Sequence, residues 1–209
     1  MIGIIFATQM EAAPFFAKTG ATQVSEHPFP LYQVTLPGNT MSCFVVICGI
    51  GRVKAALAAQ MLISEYQVNW IVNAGVCGAV ADGIEVGTVF RIEETLDSGR
   101  LESGLKPKPV KGDQDVWKGL KTAKLITTDT PVFDPDTRKK MARLFDLVDM
   151  EGAAIVETAA LYSISCSLIK GVSDLADSGS RKDLFQNIEK VSDKIARVLI
   201  DRLLKSDYP

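Results

Sequence analysis

Three carboxylates in this sequence, Glu11, Glu151 and Asp174, each follow or adjoin an apolar run. An ionised carboxylate in such surroundings is costly unless it is hydrogen-bonded or put to use. Together they would supply an acid, a base and a hydroxyl-binding group. Cleavage of a glycosidic bond needs that set: a proton for the leaving group, a positioned nucleophile and stabilisation of a cationic sugar. Each also has a plainer reading. Glu151 and Asp149 fit a helix N-cap and a first-turn acid, and Asp174 fits the closing of a turn after a strand.

Other chemistries lack their residues. The single histidine, His27, lies in a polar, proline-flanked stretch and reads as an exposed loop residue, so neither a Ser/His/Asp triad nor a Cys/His metal site has its partners. The cysteines, Cys43, Cys48, Cys77 and Cys166, form no CxxC pair and read as reduced core thiols. Gly49-Ile50-Gly51 links a strand to a helix, but Lys54 stands where a dinucleotide fingerprint needs a small residue, and no Gly-Lys-Ser/Thr occurs for a Walker A loop. Taken alone, these glycines read as tight backbone passage.

The elements that must position the acids are short apolar, β-branched runs separated by helical patterns, as strands buried on both faces read. The expected strands are 2–7, 43–48, 70–74, 86–92, 124–127 and 165–172. Helical spacing covers 52–66 and 151–162. The clearest stripe is Leu184, Ile188, Val191, Ile195, Val198, Leu199 and Leu203, in steps of three and four. This alternation predicts a layered α/β domain with a mixed, largely parallel sheet. Ligands collect at the carboxyl ends of strands in such sheets, which marks Thr8–Glu11, Gly49–Arg52, Gly75–Gly78 and Ser173–Asp177 as residues following strands. Residues 97–115 carry Ser98-Gly99-Arg100 and Lys106-Pro107-Lys108-Pro109 and read as a surface excursion, with a substrate-site lid as the functional alternative.

At 209 residues, 47% hydrophobic and 23% charged, the chain has enough apolar material for a core without disulfides. A net charge of −2 gives no general field for nucleic acid or an anionic membrane. The apolar start, Met1 to Ala7, has no basic flank and meets Gln9 and Glu11 too soon for a signal peptide or membrane span. A cytoplasmic protein is the expectation.

Five pieces in register then carry a resemblance. Ile2-Gly3-Ile4-Ile5 leading to Glu11, Gly49-Ile50-Gly51-Arg52-Val53, Asn73-Ala74-Gly75-Val76-Cys77-Gly78-Ala79, Val148-Asp149-Met150-Glu151-Gly152-Ala153-Ala154 and Val172-Ser173-Asp174-Leu175-Ala176-Asp177 occur in family order. Over nearly its whole length the chain resembles the superfamily of purine nucleoside phosphorylases and 5′-methylthioadenosine/S-adenosylhomocysteine nucleosidases. The resemblance implies one three-layer domain over 1–209, its central sheet flanked by helices. It also implies a ribosyl site in which Asp174 protonates purine N7 with Ser173 orienting it. Glu151 would hold the ribose hydroxyls, Met150 would pack near the sugar, and Glu11 would activate water. Gly75, Val76 and Lys170 would border the sugar and the water, and Pro131, Val132 and Phe133 the base. The partner it implies is a small nucleoside, with no metal or organic cofactor, in a homodimer or larger homo-oligomer whose neighbouring loop closes the 5′ pocket.

Within that superfamily, Asn73 occupies the place of a phosphate-binding arginine of the phosphorylases, and Thr8-Gln9-Met10 brings no arginine, so water is the expected nucleophile. The substrate class expected is a 5′-modified adenosine such as methylthioadenosine, adenosylhomocysteine or futalosine. Three residues depart from the nucleosidase pattern: Lys170 replaces an arginine, Val76 a serine and Pro131 an aromatic. They leave two alternatives, a phosphorylase with a cradle built from Arg52, Lys170 and glycine backbone, and a non-catalytic nucleoside-binding relative.

Overall fold

A computed structural model describes residues 1–36, 42–112, 115–177 and 180–204, with the side chains of residues 42, 102 and 180–184 excepted. In chain order the described elements are β1 (Ile2–Phe6), α1 (Gln9–Phe16), β2 (Gly20–Ser25), β3 (Leu31–Thr35), β4 (Ser42–Ile47), α2 (Arg52–Ser64), β5 (Trp70–Ala79) and β6 (Val89–Asp97). There follow β7 (Lys108–Pro109), β8 (Lys121–Thr127), α3 (Pro135–Met141), β9 (Leu147–Asp149), α4 (Gly152–Leu161), β10 (Ser165–Asp174) and α5 (Ser180–Leu204).

β1 is apolar throughout because it is flanked on both sides by parallel strands, β4 and β5, and covered on both faces. One face carries Ile5, Val46 and Ile71 against α2 and α4 through Ala58, Leu62, Ile155 and Ala159. The other carries Ile2, Ile4 and Phe6 against α1 and α5 through Phe15, Val191, Ile195 and Leu199. The result is the expected three layers around a mixed sheet that is parallel through its centre. The stripe of α5 is buried at Ile188, Val191, Ile195, Leu199 and Leu203. Leu184, assigned to the same stripe, has its side chain outside the described residues.

The sheet closes on itself at one side. β10 pairs with β5 and with β6, β6 with β8, β8 with β9, and β9 returns to β5 at Gly78 and Ala79. This ring corrects three expected boundaries. The third strand does not stop at residue 74 but runs through Gly75, Val76 and Cys77 to Ala79, and the last runs through Ser173 to Asp174. The fourth is displaced, occupying Val89–Asp97. Glycine reads as punctuation in a strand, yet here it admits close neighbours: a Cβ built on Gly75 would lie 2.6 Å from Glu11 Oε1, and one on Gly78 would lie 3.0 Å from Asp174 Oδ1.

Residues 97–112, the described part of the expected excursion before 115, are also more structured than a loop, and 113–114 lie outside the described residues. Asp97 ends β6 and accepts the Gly99 amide at 2.8 Å, Ser98–Ser103 form a 3₁₀ turn, and β7 adds to the edge of β6. His27 is exposed between β2 and β3, and all four cysteines are buried free thiols, as expected. No helix among the described residues is long and apolar enough to cross a membrane.

Candidate active site

Glu11 is placed by a capping box. Thr8 is the N-cap of α1; its amide and hydroxyl donate to Glu11 Oε2 at 2.8 and 2.9 Å, and Glu11 returns its amide to Thr8 Oγ1 at 3.3 Å. The other oxygen, Oε1, accepts the Val76 amide of β5 at 2.9 Å. Capping and function are therefore compatible here: the box fixes a buried carboxylate against the middle strand. The Thr-x-x-Glu spacing is the sequence signal for α1, a helix not among the expected elements.

Asp174 closes β10 against the same strand. Ser173 Oγ lies 2.7 Å from Asp174 Oδ2 and 3.1 Å from the carbonyl oxygen of Cys77, to either of which its one proton can be donated. The Ala176 amide donates to Asp174 Oδ1 at 2.9 Å, so the turn-closing reading is also realised. Asn187 of α5 donates to the Ser173 carbonyl at 3.0 Å and braces this strand end, a contact with no sequence signal.

Glu151 stands at the N-cap of α4 but makes no side-chain cap bond. Its Oε1 instead accepts the Gly51 amide at 2.8 Å, at the start of α2. Asp149 does the capping: its Oδ2 accepts the Gly152 amide at 2.8 Å, and its Oδ1 accepts the Thr127 hydroxyl at 2.6 Å. Thr127, expected only as the end of a strand, in turn accepts the Ala153 amide at 2.9 Å. Burial first, then the neighbouring Asp149 carboxylate, push Glu151 up to about 7, against the pull of Lys170 and the Gly51 amide.

Lys170 is 1% exposed and its Nζ lies 2.7 Å from Asp149 Oδ2. Burial alone would lower its pKa; Asp149, Glu151 and Glu11 outweigh that and hold the ammonium above its ordinary value. Lys170 pairs in register with Gly75, which connects the Glu11 corner to the Asp149–Glu151 corner. The structure thus brings Glu11, Glu151, Ser173, Asp174, Gly75, Val76 and Lys170 around the carboxyl-terminal half of β5.

The remaining site residues fall less centrally. Met150 is half-buried beside Glu151. Val132 is buried in a cluster with Val80, Leu96, Ile126 and Phe145, so its side chain belongs to a core and leaves its backbone for recognition. Pro131 is exposed and Phe133 half-buried. Asn73 is buried and donates to the Ile5 carbonyl at 3.0 Å, stitching β5 to β1.

A phosphate cradle has little to work with. Arg52 is engaged by both Asp97 and Asp129, its Nε donating to Asp129 Oδ1 at 2.8 Å, while Lys170 is committed to Asp149. A cleft of about 530 Å³ is lined by Gly51, Arg52, Val53, Lys54, Asp97 and Glu157 among others. None of Glu11, Glu151 and Asp174 lines it; its link to them is Gly51, whose amide Glu151 accepts.

Residues 1–205 match the family model of the phosphorylase superfamily. The chain is 24% identical to a 5′-methylthioadenosine/S-adenosylhomocysteine nucleosidase of Maridesulfovibrio salexigens, with 97% of this chain and 98% of the relative covered. It is 25% identical to the Staphylococcus haemolyticus protein of the same name, covering 98% and 99%. Among solved structures it is similar in fold to a futalosine hydrolase mutant of Helicobacter pylori, at TM-score 0.88 and 15% identity over 98% of this chain and 99% of that one.

Proposed function

The chain belongs to the phosphorylase superfamily, and from that premise we propose that it is a nucleosidase that hydrolyses the N-glycosidic bond of a 5′-modified adenosine. The observation that carries the reading is the convergence on β5 of Glu11 at Gly75 and Val76 and of Asp174 at Gly78, with Glu151 held nearby from α4. Asp174, carrying a proton, gives it to purine N7 as the C–N bond breaks, so that the bonding pair leaves with the base as a neutral molecule and Asp174 is left ionised. Positive charge then develops on the ribose, whose hydroxyls donate to the ionised Glu151. Glu11, fixed by Thr8 and Val76, takes a proton from the attacking water.

Hydrolysis is favoured over phosphorolysis because the two cations of the alternative cradle, Arg52 and Lys170, are already paired with carboxylates, and a phosphate would also face Glu11. The relatives named for methylthioadenosine and adenosylhomocysteine, and the fold neighbour named for futalosine, support an adenosine-type nucleoside extended at the 5′ carbon. The protein acts in the cytoplasm, as one domain, and as a homodimer or larger homo-oligomer: Ile50 and Val53 at the cleft and Leu57 on α2 are exposed apolar side chains suited to a second copy.

The deciding experiment is adenine release from a panel of 5′-substituted adenosines, with and without inorganic phosphate. Phosphate-independent release supports the nucleosidase. Release only with phosphate makes it a phosphorylase, and tight nucleoside binding without release makes it a binding protein; either outcome overturns the proposal. A single monomeric species in sedimentation would overturn the homo-oligomer.

A further inference from the structure

We propose that Lys170 is a positioning residue and no ligand of substrate: locked onto Asp149 within the buried cluster of Glu11, Asp149 and Glu151, its ammonium offsets the Asp149 carboxylate, so that Glu151 can still ionise and accept the ribose hydroxyls. The inference rests on the nucleosidase reading for what Glu151 does, and on geometry for how Lys170 acts.

A lysine as buried as Lys170 stays charged only when paired. Its partner is fully occupied. Asp149 Oδ1 holds the Thr127 hydroxyl, and Oδ2 holds both the Gly152 amide and Lys170 Nζ. The Asp149 carbonyl also accepts the Thr128 amide at 2.8 Å. An arginine can grip one carboxylate and offer its other nitrogens elsewhere, whereas lysine is a compact point charge that a single close carboxylate captures. Lysine at this position therefore gives up the reach of a guanidinium and keeps its charge.

That charge is felt by the acids around it. The groups facing Glu151 are Asp149 from β9, Lys170 from β10, Glu11 from α1, the Gly51 amide from α2, and the Cys48 thiol after β4, which burial and then the two glutamates push up to about 12 and so keep neutral. Glu11, Asp149 and Glu151 are each at most 6% exposed. Of the charged groups among them, Asp149 and Glu11 oppose ionisation of Glu151, and Lys170 favours it. Asp149 has two parts in this: it anchors the lysine, and it opposes the charge that the lysine supports.

Opposite signs make the proposal testable. Glu151 is to be titrated by carboxyl carbon NMR in the free protein, and the acid limb of kcat/KM followed with methylthioadenosine, for wild type, Lys170→Met, Lys170→Arg, Asp149→Asn and the Lys170→Met/Asp149→Asn double variant. The Lys170→Met titration is expected about one pH unit more alkaline or beyond, and Asp149→Asn more acid. The double variant should return close to wild type, since it removes one charge of each sign, and Lys170→Arg should restore the wild-type limb. KM at neutral pH should rise more than kcat falls in Lys170→Met, because ground-state hydroxyl binding is what weakens. An unmoved Glu151 titration in Lys170→Met, or shifts of the same sign in both single variants, overturns the inference. If Lys170→Met does not fold, the step from Asp149→Asn to the double variant, which removes the lysine together with its bonded carboxylate, still decides it: the absence of an alkaline shift of Glu151 between those two overturns the inference. The NMR titration needs no turnover, so a protein that cleaves no nucleoside would refute the nucleosidase while leaving the Lys170 effect on Glu151 to be judged separately.

Discussion

The Val76 amide donates to Glu11 Oε1 at 2.9 Å, which makes a side chain from the head of the first helix a hydrogen-bond partner of the middle strand. Three further groups converge there. Gly75 leaves room for the oxygen, Thr8 holds the other oxygen with two bonds, and Lys170 pairs with Gly75 from the neighbouring strand. Val76 offers no side-chain hydroxyl at this corner, and it is its backbone amide that seats the carboxylate.

Gly75→Ala should test that seat. A Cβ there would lie 2.6 Å from Glu11 Oε1, and Glu11 is held too firmly by Thr8 and Val76 to swing aside freely. The carboxylate must shift, and a displacement of about 1 Å at a reacting group costs on the order of 10²-fold in rate. Base release should fall by about that factor. Gly20→Ala, where a Cβ meets nothing within 4 Å, is the matched control and should leave the rate unchanged.

Asp174→Asn should lower kcat by ~10²–10⁴-fold with little change in melting temperature. The amide retains an oxygen for the Ala176 N–H, and Ser173 can turn its proton to the Cys77 carbonyl while accepting from the new NH₂. The loss would then be confined to proton delivery. A variant that melts far below wild type would mean that Asp174 is chiefly a structural turn residue.

How far the sequence reaches can be seen in these same residues. β1 and α5 were legible because burial on two faces, or on one stripe, leaves a pattern in the residue types. The carboxylates were legible as misfits in apolar surroundings. Gly75, Val76 and Ser173 were placed after strands because glycine and serine read as loops, whereas the closed ring of β5, β10, β6, β8 and β9 keeps both strands paired beyond that point. The β2–β3 hairpin escaped notice since β2 is exposed along most of its length and so has no apolar alternation. Thr127 and the Gly51 amide could not have been found at all, because their roles exist only once distant segments meet.

Stability should depend on pH through Glu151. Its carboxyl is pushed up to about 7 in the folded protein, from an ordinary value of 4.5. The folded state thus binds this proton more tightly than the unfolded chain does. Its contribution is fully present below about pH 4.5, is lost as pH rises through about 7, and is flat beyond. A shift of that size corresponds to about 3 kcal/mol. Glu151→Gln carries no proton to lose, so its unfolding free energy should gain on wild type by up to that amount between about pH 4 and pH 8. Denaturant titrations at the two ends of the range measure it, and parallel curves for the two proteins would refute the assignment.

Ser167→Ala should separate the scaffold from the chemistry. The Ser167 hydroxyl accepts from Trp70 Nε1 at 3.1 Å and from Trp117 Nε1 at 2.9 Å, and the two rings meet edge-on with centroids 5.9 Å apart. These are the protein's two tryptophans. Both are buried, and the segment carrying Trp117 lies so close that a Cβ on Gly112 would fall 2.1 Å from Ser167 Oγ. Removing the acceptor leaves buried indole N–H groups short of a bond, at a cost of about 1–3 kcal/mol each where no other acceptor replaces it. A chain of this size should then melt roughly 5 °C lower, with tryptophan emission reporting the transition. Ser167 touches none of Glu11, Glu151 or Asp174, so kcat and KM below the transition should match wild type. An equal loss of rate would mean that the 110–117 segment takes part in shaping the site.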